Sequence, residues 1–83
     1  MNRTRTVTER ELEVIGAWWH EGTVKGAAQF LGIHEQTAKN LLHTARLHAG
    51  ATTTLALARL YAKDLPSQTV LRRRVRERAR RAA

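Results

Sequence analysis

Apolar residues recur along this chain at helical intervals, and a glycine or a hydroxyl residue breaks each run. Leu12, Ile15 and Trp19 fall at i, i+3 and i+7, with Trp18 beside them, the spacing of one helix face. Ahead of them Thr8-Glu9-Arg10-Glu11 has the form of a capping box, the Thr8 hydroxyl accepting from the Glu11 amide and the Glu11 carboxylate accepting from the Thr8 amide. The pattern predicts a first helix over about residues 9–21, left at Gly22. Thr23 is an N-cap residue for a short second helix whose narrow stripe, Ala27, Ala28 and Leu31, ends at Gly32. A third helix runs from about Glu35 to Ala49 on Ala38, Leu41, Leu42, Ala45 and Ala49, and Gly50 stops it. Thr52-Thr53-Thr54 offers caps for a fourth, with Leu57, Leu60 and Tyr61 on one face and Leu65-Pro66 at its close. Ser67 can cap a last segment reaching about Arg81, where Val70 or Leu71 and Val75 form a thin apolar edge. A helix of ~15 residues with so weak a stripe is marginal alone in water, so a basic helix and a tail disordered until bound both remain open.

The order Ala28, Gly32, Ile33, Ala38, Leu41, with mostly polar residues between, assigns each position a steric task. Ala27 and Ala28 let the next helix cross closely, where bulky side chains would hold the backbones apart. Gly32 permits a left-handed turn, Ile33 fills the corner, and Ala38 with Leu41 pins the following helix to the body. Gln36, Lys39, Asn40 and His43 then face outward, a hydrogen-bonding and mildly basic set suited to base edges in the ~12 Å major groove. Glu35 is the only acid on this helix, and either stabilises its dipole or accepts from a cytosine amino group. The same apolar spacing also suits an ordinary antiparallel helix pair, which would leave the polar face without a task.

Thr8-Glu9-Arg10-Glu11-Leu12-Glu13-Val14-Ile15, followed by Leu31-Gly32-Ile33-His34-Glu35-Gln36-Thr37-Ala38-Lys39-Asn40, resembles the LuxR/GerE-type helix-turn-helix over about residues 7–62. The resemblance implies an all-α fold, a compact four-helix helix-turn-helix domain whose third helix enters the major groove. Its fourth helix would serve dimerisation, here through Leu57, Leu60 and Tyr61. Base contacts are implied at Lys39, Asn40 and His43, to which the outward face adds Gln36, and backbone contacts at Lys25 and Thr37. Thr23, His34 and Arg46 complete the phosphate contacts expected in the body. The chemistry agrees, since lysine donates to guanine, asparagine pairs bidentately with adenine, and amides and hydroxyls at helix N-termini bind phosphate. His34 stands where this family usually has serine or threonine, so a weaker cap on the third helix is expected.

Charge changes the picture at the C-terminus. The net charge is +8, yet residues 1–66 hold eight Lys/Arg against six Asp/Glu, while residues 67–83 hold seven arginines against Glu77 alone. Arg72, Arg73, Arg74 and Arg76 therefore join the expected phosphate contacts. Three readings of this segment stay open: an arm on the DNA backbone or in the minor groove, a helix for an acidic protein partner, or a solvated extension. The expected organisation is a flexible basic arm over 1–7, a helix-turn-helix domain over 8–65 and an arginine-rich tail or helix over 66–83.

Eighty-three residues bury only about 60% of their unfolded surface, too thin a core for an elaborate enzyme pocket. With no cysteine there is neither a disulfide framework nor a cysteine-ligated zinc site, and His20, His34, His43 and His48 contain no i, i+4 pair. No metal, cofactor or catalytic array is expected. His43 and His48 either gain charge beside DNA or are solvated surface residues. Of Trp18 and Trp19, one ring is expected in the core and one partly exposed, the alternative being stacking on a single strand. No apolar run approaches the ~20 residues of a membrane span, so a soluble, cytoplasmic, non-membrane protein is expected, bacterial or phage-encoded and on the nucleoid. The function expected is a sequence-specific, homodimeric regulator bound to double-stranded DNA. The alternatives are a small interaction module docking on polymerase or another regulator through its tail, and a factor like region 4 of sigma factors.

Overall fold

Five helices and no strand make up the described residues, 7–82, in a computed structural model of the chain: α1 (Glu9–Glu21), α2 (Val24–Leu31), α3 (Glu35–Ala49), α4 (Thr54–Leu60) and α5 (Gln68–Ala82). Their ends have local causes. Thr8 and Glu11 exchange both capping-box bonds, at 2.8 and 3.1 Å. The hydroxyls of Thr23, Thr53 and Ser67 accept from the Gly26, Ala56 and Val70 amides and start α2, α4 and α5. Gly32 and Gly50 end α2 and α3 at φ of 70° and 71°, a region that L side chains avoid.

α1 packs against each of the other four helices. Alanines stand at the close approaches, with Ala17, Ala27, Ala28, Ala38 and Ala45 all buried, while Ile15, Leu42 and Leu57 fill the space between. Because α1 has neighbours on several sides, its buried face is broader than the expected stripe. Val14, Ile15 and Ala17 are buried together with Glu11 and Glu13, Leu12 and Trp18 are half-buried, and Trp19 is 51% exposed. Trp19 thus drops out of the core, since it falls in the last turn of α1. Residues 1–6 of the expected N-terminal arm lie outside the described residues, and Val7 is itself buried in the core.

α4 is shorter than its pattern, for the chain turns through residues 61–65 before Pro66. Its expected single face is also split. Leu57 and Ala58 point into the core, Tyr61 is half-buried and Leu60 is exposed.

The C-terminal segment is helical and packed. Gly16 makes this approach close, for a Cβ there would stand 3.2 Å from Pro66 Cδ, and His20 Nε2 lies 3.4 Å from the Pro66 carbonyl oxygen. From that point α5 packs on α1. Leu71 is fully buried, and farther on Arg74 and Arg78 reach the buried Glu13 at 3.3 and 3.0 Å. Leu71→Ala is therefore expected to lower stability by about 2–4 kcal/mol, as for other buried leucines. Urea unfolding followed by circular dichroism measures it. An unchanged midpoint would mean that α5 adds nothing to the core.

Candidate nucleic-acid interface

The corner between α2 and α3 is built by main-chain bonds as much as by packing. The Gly32 amide donates to Gln29 O at 3.2 Å, and the Ile33 amide donates to Ala28 O at 3.0 Å. Ile33 is half-buried against the core, and Ala38 is buried one turn into α3. Two further bonds hold the far end of α3. His48 Nδ1 lies 3.1 Å from Glu11 Oε1, and Arg46 donates to Thr54 Oγ1 at 2.8 Å.

Gln36, Thr37, Lys39, Asn40 and His43 are all exposed on α3. Ala38, Leu42 and Ala45 are buried on its other side, so helical spacing sets Gln36, Asn40 and His43 in one line opposite the core. Two i, i+4 interactions organise the line. Gln36 Nε2 donates to Asn40 Oδ1 at 3.0 Å, and Lys39 Nζ stands 3.6 Å from Glu35 Oε2. Glu35 is thus a neighbour of Lys39 as well as an acid at the helix N-terminus. The line continues to Leu47, eleven residues after Gln36 and 68% exposed. Sequence reasoning passed over Leu47, although the same periodicity that selects Asn40 and His43 reaches it.

At the start of α2, Thr23 and Lys25 are exposed. The Thr23 hydroxyl accepts from the Gly26 amide at 2.9 Å, which leaves its proton free to donate. A Cβ at Gly26 would stand 2.9 Å from Thr23 Oγ1 and 3.1 Å from Glu21 Cβ, so this particular close approach favours glycine, although the same cap forms on residues with a Cβ at Glu11, Ala56 and Val70.

Other expected contacts are placed differently. Arg46 is half-buried and braces α3 on α4 through Thr54, so it is committed to the fold before any phosphate. His48 is half-buried on Glu11 and is not a solvated surface histidine. Arg74 is half-buried and lies 3.8 Å from Glu9 and 3.3 Å from Glu13, facing the body. Arg72, Arg73 and Arg76 are exposed. Of the expected dimer residues, Leu57 is wholly buried and cannot present a surface, whereas Leu60 can, and Leu55 is an exposed apolar residue on the same helix that the reading omitted.

Among the described residues, no group of three His, Asp or Glu side chains is arranged to hold a metal ion, and no helix is long and apolar enough to cross a membrane. No family model, no curated protein and no solved structure matches the chain.

His34 is the N-cap of α3 but makes no side-chain cap bond. The amides of the first turn are therefore open to an external acceptor such as phosphate. Replacing His34 with serine supplies the missing acceptor, and His34→Ser is expected to raise stability by about 0.5–1 kcal/mol in a thermal melt. A loss of stability would mean that the imidazole has a packing role.

Proposed function

We propose that the protein binds double-stranded DNA sequence-specifically, α2, the turn and α3 acting as a helix-turn-helix with α3 in the major groove. The observation that carries this is the line Gln36, Asn40 and His43, with Lys39 beside it, on a helix anchored at both ends. Its chemistry is that of base recognition. Lys39 donates to guanine O6 and N7, and Asn40 pairs with adenine by accepting from N6 and donating to N7. The Asn40 oxygen has two lone pairs. Gln36 can therefore go on donating to Oδ1, fixing the amide plane, while Asn40 accepts from adenine. Leu47, farther along the line, offers an apolar contact for a thymine methyl. Phosphates are held by Thr23 and Lys25 at the start of α2 and by Thr37 with the free amides of α3.

A second copy fits this reading, with half-sites about one helical turn, or ~34 Å, apart on an inverted repeat. Leu55 and Leu60, exposed on α4, are the apolar residues that support it. As a regulator of transcription such a dimer would work in the cytoplasm, on the nucleoid.

Lys39→Ala is expected to weaken binding to the cognate duplex by about 1–3 kcal/mol and to random duplex little, measured by fluorescence anisotropy on both. Equal losses would reduce Lys39 to a phosphate contact. Gln36→Ala and Asn40→Ala are expected to be non-additive on the cognate site by at least about 0.5 kcal/mol in a double-mutant cycle. Additive losses would mean that the two side chains act independently.

A further inference from the structure

α5 sorts its arginines into two sets. Arg74, Arg78 and Arg81 recur at i, i+4 and i+7 and border the same recess as Glu9 and Glu13. Glu13 accepts from Arg78 through both oxygens, at 3.0 and 3.2 Å, and from Arg74 at 3.3 Å. With the buried Leu71, these bonds fix the rotation of α5 about its own axis. Arg72, Arg73, Arg76 and Arg80 then fall on the opposite side, all exposed and with no ion-pair partner among the described residues. Eight steps of 1.5 Å from Arg72 to Arg80 make this row about 12 Å long.

Its place matters as much as its charge. The C-terminal half of α5 borders the turn that launches α3, across a groove of about 260 Å³ lined by Leu31, Gly32, Ile33, Val75, Ala79 and Ala82. The C-terminal end of α5, which carries Arg80, thus lies beside the turn that launches α3. Phosphates of one strand rise about 3.4 Å each along the duplex axis while they wind around it, so a straight row of ~12 Å follows only part of that path and the long arginine side chains supply the remaining reach to four phosphates. Guanidinium groups bind phosphate oxygens in bidentate fashion. A lipid surface suits the row poorly, because interfacial helices insert an apolar face and that of α5 is buried against α1.

We propose that Arg72, Arg73, Arg76 and Arg80 form a second, sequence-independent contact with the DNA backbone flanking the groove that α3 enters, held in register by the inward bonds of Arg74 and Arg78 to Glu13. The proposal rests on the reading of α3 as a duplex-binding helix, and it divides the work: α3 selects the site, and α5 supplies much of the salt-sensitive affinity.

The test measures binding of the full chain to a fluorescein-labelled random duplex as salt is raised from 50 to 200 mM. The wild type is compared with the fourfold variant R72Q/R73Q/R76Q/R80Q, and circular dichroism checks that both are folded. The variant's slope of log affinity against log salt is expected to be shallower by about 3.6, so that the wild type loses roughly 100-fold more affinity over this range. An unchanged slope in a folded variant overturns the α5 contact and leaves α3 untouched. No binding by the wild type at the lowest salt overturns both the contact and the reading it rests on. A shallower slope for the variant on random duplex, with Lys39→Ala showing no site preference to lose, keeps the α5 contact and overturns base reading by α3. Tighter wild-type binding to poly-glutamate than to duplex, lost in the fourfold variant, overturns the proposal in favour of an acidic protein partner.

Discussion

Two carboxylates buried on α1 constrain where the rest of the chain can lie. Glu11 and Glu13 are 3% and 4% exposed, and an ionised carboxylate so far out of water is tolerated only with hydrogen-bonding partners around it. Glu11 finds the Thr8 amide within its own helix and His48 in the last turn of α3. Glu13 finds Arg74 and Arg78 on α5. One carboxylate thus binds the far end of α3 and the other binds α5, both to the helix at the centre of the packing. In a chain with few large core side chains, these bonds supply directional restraint that packing of alanines cannot.

The outward surface follows from the inward bonds. α3 is held at its start by the Gly32 and Ile33 amides and at its end by His48 and Arg46, so its polar line is presented from a rigid element, as a recognition surface requires. Within the line, the Gln36 to Asn40 bond and the Lys39 to Glu35 pair restrict the side chains, which would lower the entropy lost on binding under the proposed function. α5 repeats the arrangement with a different chemistry. Its inward arginines neutralise α1, and its outward ones add to the basic surface.

The helix boundaries were legible in the sequence because their causes are local. Thr8 with Glu11, Thr23, Gly32, Gly50 and Ser67 act within a few residues of themselves, and α1 and α3 have the expected bounds. So was the exposure of Gln36, Lys39, Asn40 and His43, which needs only the helical period and a buried Ala38 and Leu42. What was not legible depends on residues far apart in the chain. Leu57 and Leu60 look alike in sequence, and only the position of α4 against α1 and α3 buries one and exposes the other. Gly16 has no visible task until Pro66 arrives beside it. Glu13 reads as a solvated charge until α5 folds back. A signal for that did exist, since two carboxylates at i, i+4, Glu9 and Glu13, are matched by two arginines at the same spacing, Arg74 and Arg78.

Under the proposed function, the exposed line on α3 reads base pairs while the charge around it holds the backbone. Selection of bound sequences from a randomised duplex library, using the full chain, tests it most directly. Convergence on a common site is expected, with inverted half-sites about one helical turn apart, and with loss of preference at single positions when Lys39 or Asn40 is replaced by alanine. Retention of duplex with no enriched sequence, in the wild type and in both variants alike, would contradict it.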